Sequence, residues 1–109
     1  ITNCTFSQNT ATNSGGGIYS SGNTTVGNAI FWGNTAATDA TSQIGIETVD
    51  AANSEKSSAP SVVVTVVSSV IQSGDSSAFP APEGMANIFT DPKLGTLADN
   101  GGPTQTYAL

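Results

Sequence analysis

Few side chains in this sequence are equipped for chemistry. It has 2 basic residues, Lys56 and Lys93, with no Arg and no His, against 8 acidic residues. The absence of His removes the usual base of a Ser or Cys nucleophile. Glycosidic hydrolysis needs two carboxyl groups facing one sugar, about 5 to 9.5 Å apart. The acids instead fall in irregular stretches: Asp39, Glu47, Asp50, Glu55, Asp75, Glu83, Asp91 and Asp99. Asp39, Glu47 and Asp50 lie close enough in sequence to converge on calcium with backbone carbonyls. They lack a D-x-D or glycine–aspartate repeat, so solvated loop charge is the favoured reading and no metal or cofactor is assigned. Lys56 beside Glu55, and Lys93 after Pro92, read as surface charges. The run Gly15-Gly16-Gly17 is not followed by the Lys-Ser/Thr of a phosphate-binding loop. Cys4, the one cysteine, has no partner for a disulfide and reads as a small buried hydrophobe. The sequence therefore predicts no catalytic residue.

Two aromatics remain as candidate ligand contacts. Trp32 and Tyr19 each follow an apolar residue expected to point inward, Phe31 and Ile18, so alternation turns both outward. An outward aromatic can stack on a sugar ring or on a partner's apolar patch. The competing expectation for Trp32 is that the segment after residue 38 folds over it.

The elements that would position these residues repeat with a step of 25. Ile1 to Ala11 lines up with Val26 to Ala36, with identity at Asn3/Asn28, Phe6/Phe31, Asn9/Asn34, Thr10/Thr35 and Ala11/Ala36. Val66 to Gly74 continues the pattern at an offset of 40, the step of 25 plus an insertion of 15. Such a period, rich in Gly, Asn, Thr and β-branched residues, predicts stacked coils. Three columns follow: Ile1, Val26, Val66; then Cys4, Ala29, Ser69; then Phe6, Phe31, Ile71. The spacing of three between the first two columns breaks strand alternation. A bend around Thr2-Asn3 and Gly27-Asn28 restores it and separates two faces of a coil. Asn9 and Asn34 fall at equivalent turns, where stacked amides form ladders.

The fold class predicted is all-β: a right-handed parallel β-helix of about three to four coils, forming one segment over 1–109. Within it, 1–37 are regular coils, 38–60 a loop excursion with a short strand at Gln43 to Ile46, 61–74 a coil, 75–86 a loop and 87–109 a terminal coil. Asn87 to Phe89 reads as a short strand, and Leu94 and Leu97 as core. The start inside a repeat suggests a piece of a longer protein, and its open coil ends predict aggregation in isolation.

Phe6-Ser7-Gln8-Asn9 and Phe31-Trp32-Gly33-Asn34 resemble the F-x-x-N motif of chlamydial-type polymorphic outer membrane protein repeats. Gly15-Gly16-Gly17-Ile18 resembles their companion G-G-A-[ILV] motif, with Gly17 in place of Ala. Asp91 to Leu109 is similar to the end region of large bacterial β-helix surface proteins, many with a choice-of-anchor C-terminal domain. The resemblance spans most of the chain outside 38–60 and 75–86. It implies a bacterial scaffold, secreted or at the cell surface, with an adhesin-like role and surface glycans or host and neighbour-cell proteins as partners. Two alternatives stand beside it. One is a polysaccharide-processing, pectate lyase-like enzyme whose catalytic coils lie elsewhere. The other is a carbohydrate-binding module working through outward aromatics.

A net charge of −6 excludes the basic stripe that nucleic acid requires and disfavours an anionic membrane surface. The longest apolar run, Val62-Val63-Val64-Thr65-Val66-Val67, is strand-length, so no membrane insertion by this segment is expected.

Overall fold

The computed structural model describes residues 1–38, 42–47, 62–72, 79 and 83–108. These residues form nine short β-strands and no helix: β1 (Thr5–Ser7), β2 (Ile18–Ser20), β3 (Thr24–Gly27), β4 (Ile30–Trp32), β5 (Ile44–Ile46), β6 (Val64–Val67), β7 (Val70–Ile71), β8 (Leu97–Ala98) and β9 (Thr106–Tyr107). Val, Ile, Thr and aromatic residues dominate them, as a pleated and half-buried surface favours.

Seven strands make three parallel sheets, in the orders β1-β4-β7, β2-β5 and β3-β6. The sheets recur in the same sequence along the chain, so equivalent strands form successive rungs. The first rung holds Thr2, β1 and β2; the second β3, β4 and β5; the third β6 and β7. Register follows the repeat: Phe6 lies over Phe31 and Phe31 over Ile71. Val26 lies over Val66, and Thr2 bridges Gly27.

The bend between the first two columns is real. Asn3, Asn28 and Ser68 take φ of 55°, 51° and 49°, so each rung turns at the same left-handed residue. The Asn28 amide donates to the Asn3 side-chain carbonyl at 2.6 Å, tying the turns together. A second left-handed position follows β1 and β4, at Gln8 and Gly33 (φ 59° and 71°).

The core is the line of inward residues Val26, Ala29, Phe31, Ile44, Val66 and Ile71, with Phe6, Ile18, Val64, Phe79 and Phe89 packed against it. The Phe6 and Phe31 rings stack with centroids 4.8 Å apart and planes 6° from parallel. That separation is the distance between hydrogen-bonded strands, so the in-register backbone sets the ring contact.

Four expectations require correction. Cys4 is exposed, because the described residues cover the first rung on one side only. Residues 42–47, read as an excursion with a short strand at Gln43 to Ile46, do carry that strand, as β5, but it pairs with β2 as Ile18↔Ile44 and so belongs to the stack. The step there is 26 rather than 25, and the inward Ile pair sets it. The expected terminal coil supplies one parallel bridge, Val70↔Ile88, in place of a strand over Asn87 to Phe89. Beyond it β8 and β9 pair antiparallel, closed by the Asp99-Asn100-Gly101-Gly102-Pro103 turn. There the Asn100 amide donates to the Thr106 carbonyl at 2.9 Å and the Asp99 carboxylate accepts from the Gly101 amide at 2.9 Å. Leu97, read as core, is 47% exposed, since a two-stranded hairpin has no second layer to bury it; Leu94 is half-buried.

Candidate functional site

The most built polar feature lies inside the stack, around Asn34. It sits at the turn after β4 and is only 3% exposed. Its side-chain carbonyl accepts from the Asn9 backbone amide at 3.1 Å and the Asn9 side-chain amide at 2.9 Å. Its own amide donates to the Phe6 carbonyl at 2.9 Å and the Gln43 side-chain carbonyl at 2.7 Å. Gln43 returns a bond to the Asn34 carbonyl at 3.1 Å. Both Asn34 side-chain groups are thus doubly engaged, and no buried side-chain polar atom among the described residues lacks a partner. This network rigidifies the turn and offers no free group for chemistry. It also gives the F-x-x-N spacing a physical meaning. Placed three residues after the inward Phe, the Asn reaches back to the carbonyl of the Phe one rung away.

The glycine run has a similar explanation. A Cβ on Gly16 would collide with the carbonyls of Thr35 and Ser42, and one on Gly17 would press on the Gln43 carbonyl and the Phe31 ring. The chain passes this close because Gly17 and Ile18 donate backbone hydrogen bonds to Ser42 and Gln43, both at 3.1 Å. Gly15, with φ of 73°, makes the preceding turn. These glycines serve contact between rungs, and Gly17 in place of the motif's Ala fits the pressure from Gln43.

The structure does not bring the two predicted ligand contacts together. Trp32 is half-buried at the end of β4, on the outward face that it shares with Ile30. Tyr19 is 53% exposed on β2, in a different sheet. The segment expected to cover Trp32, like Asp39, Asp50, Glu55 and Lys56, falls largely outside the described residues. Glu47 is described and exposed. Among the described residues, no three His, Cys, Asp or Glu side chains are grouped to hold a metal. No described helix is long and apolar enough to cross a membrane.

A concave site does exist, elsewhere. The tail folds onto the outward face of β1 and β4 and encloses a cleft of about 340 Å³. Thr5 and Ile30 form one wall; Leu94, Leu97 and Gln105 to Tyr107 form the other. Tyr107 is half-buried in it. Sequence reasoning placed Gln105 and Tyr107 in the terminal coil of 87–109 and gave them no role. The antiparallel return that brings them back over the sheet left only the Asn-Gly-Gly-Pro turn as its signal.

Next to the lining residue Leu94 stands an exposed ion pair, Lys93 Nζ to Asp91 Oδ2 at 3.1 Å. The Asp91 carboxyl lies below the usual carboxylate range, first because it accepts the Lys93 backbone amide at 2.8 Å and then because of the Lys93 side chain.

The model for the Chlamydia polymorphic membrane protein repeat matches residues 3–21, the first rung and its glycine run. No curated protein and no solved structure matches the chain. Residues 3–21 are thus similar to a surface repeat of that kind, within an all-β chain of parallel, stacked strands.

Proposed function

We propose that this chain is a length of right-handed parallel β-helix working as a non-catalytic scaffold at a bacterial cell surface. One observation carries the reading: equivalent residues lie in register between parallel strands of successive rungs, with Phe6 stacked on Phe31. Handedness follows from the general preference of a strand that crosses over to a parallel neighbour in the same sheet. The surface assignment is supported by the likeness of residues 3–21 to the polymorphic membrane protein repeat. It also agrees with the low charge and the acidic balance.

The scaffold role is supported by where the polar groups go. Asn9, Asn34 and Ser69 spend hydrogen bonds between rungs, and Gln43 braces Asn34 within its own rung. The described acids Glu47, Glu83, Asp91 and Asp99 are exposed and not grouped. Such a solenoid is stiff because each rung is held by its neighbours along its whole length. Its outward faces are then free to carry contacts with glycans or with proteins of another cell.

Antibodies raised against the chain test the assignment on intact and permeabilised cells of the source bacterium. Labelling of intact cells is expected. Labelling only after permeabilisation would overturn it.

A further inference from the structure

We propose that the cleft between the tail and the outward face of β1 and β4 binds a neutral saccharide, one or two sugar rings in length. The inference rests on the surface reading above, and names the kind of partner that the scaffold meets. Four observations point to it.

The first is size and place. A volume of about 340 Å³ lies at the small end of ligand sites and suits a mono- or disaccharide. The cleft is open to the outside and is made by two separate parts of the chain.

The second is the lining. Tyr107 contributes a half-buried ring, with Ile30, Leu94 and Leu97 around it. Sugar rings pack their C–H faces on such surfaces, and aromatic rings take them best. Thr5, Gln105 and Thr106 border the same space and supply hydroxyl and amide groups.

The third is availability. The Asn34 side chain is saturated within the stack, but no hydrogen bond engages the Tyr107 hydroxyl, the Thr5 hydroxyl or the Gln105 amide among the described residues. An amide both donates and accepts, as a sugar hydroxyl does. These groups lie where water solvates them now and a polyhydroxylated ring can replace it.

The fourth is charge. No lining residue is charged, the chain carries −6, and the nearby Lys93 is taken up by Asp91. Uronic and sialic acids would enter a negative field with no cation to receive them. That selects neutral sugars from the glycans that a surface protein meets. Tyr19 and Trp32 do not line this space: Tyr19 stands alone on another sheet, and Trp32 lies farther along the face of β4.

The test is saturation-transfer NMR on the full chain with maltose, cellobiose and lactose, and with an oligogalacturonate as the acidic counterpart. At least one neutral disaccharide is expected to bind, and the acidic one is not. Tyr107→Ala should weaken binding about tenfold and Gln105→Ala about fivefold, while Tyr19→Ala leaves it unchanged. Should Tyr107→Ala unfold the hairpin, Tyr107→Phe keeps the ring and is expected to retain most of the binding, leaving Gln105→Ala as the deciding variant. Three results would overturn the site. They are no transfer to any neutral disaccharide, binding of oligogalacturonate in their place, or full binding by both Gln105→Ala and Tyr107→Ala. A chain that binds none of the sugars yet labels intact cells rejects the glycan site and leaves the surface scaffold standing.

Discussion

The first and second rungs carry identical or similar residues in the same columns and live in different surroundings. Ile1 is 49% exposed and Val26 fully buried. Cys4 is exposed and Ala29 is 3% exposed. Phe6 is half-buried and Phe31 fully buried; Asn9 is exposed and Asn34 is 3% exposed. Composition cannot account for this difference. The second rung has neighbours above and below; among the described residues the first has one, below. In a one-dimensional stack a residue gains its stability from adjacent rungs rather than from a common centre. A matched pair of substitutions therefore reads out the neighbour directly.

The largest effect is expected at the aromatic column. Phe31→Ala opens a hole between Phe6 and Ile71 and should cost about 3–5 kcal/mol, measured by denaturant unfolding. Phe6→Ala should cost less than half as much, since one side of that ring already meets solvent. Equal losses would show that burial in this fold does not depend on stacked neighbours.

The asparagine column comes next. Asn34→Ala takes a side-chain partner from the Phe6 carbonyl, the Asn9 backbone amide and the Gln43 side-chain carbonyl at once, and should cost about 2–4 kcal/mol. Asn9→Ala removes one exposed partner of the same ladder and should cost about 1 kcal/mol or less. A reversed order would contradict the assignment of Asn34 as the buried hub.

The pairing behind this contrast was legible in the sequence, because the step of 25 fixes which residues share a column. The three columns, the bend at Asn3 and Asn28 and the asparagine ladder all follow from that step. What escaped has physical reasons. Cys4 looked buried because columns do not say which rung the described residues cover on one side only. The short strand at Gln43 to Ile46 was legible but its place in the stack was not, because its step of 26 leaves only the Ile18/Ile44 pair as a clue. The hairpin of β8 and β9 hid because two-residue strands give alternation nothing to act on, and its packing over Ile30 is a tertiary event. The cleft that it forms was illegible for the same reason. Trp32 and Tyr19 were singled out by alternation alone, which reports a side chain's face and not whether that face is concave.

A kinetic form of the rung comparison uses thiols. Cys4 should react at the rate of a free thiol with a small disulfide reagent. Ala29→Cys, in a Cys4→Ala background, should react at least about a hundredfold more slowly, because it needs local opening of a buried rung. Similar rates would mean that the second rung is not covered as described.

The smallest effect concerns the tail and marks where the comparison stops. The Asp91 carboxylate is stabilised in the folded chain by the Lys93 amide and side chain, so its folded titration lies below that of the unfolded chain. The associated stability is present above the ordinary aspartate range and is lost as pH falls through the folded value. The group is exposed, so the effect on unfolding should be slight. NMR titration should place its midpoint below that of Asp91 in a Lys93→Gly variant. An unshifted midpoint would remove the Lys93 side chain from the account and leave its backbone amide as the cause.

The central claim is that residues 25 apart sit directly over one another in parallel register. Thr10 and Thr35 offer the cleanest test: their hydroxyls are 3.0 Å apart and their backbones are bridged. In a Cys4→Ala background, Thr10→Cys/Thr35→Cys should oxidise to an intramolecular disulfide in high yield, since adjacent parallel strands fall within disulfide reach. The off-register pair Thr10→Cys/Ala37→Cys should not. A cross-link favouring the off-register pair, or none in either, would contradict the stacked arrangement on which everything else stands.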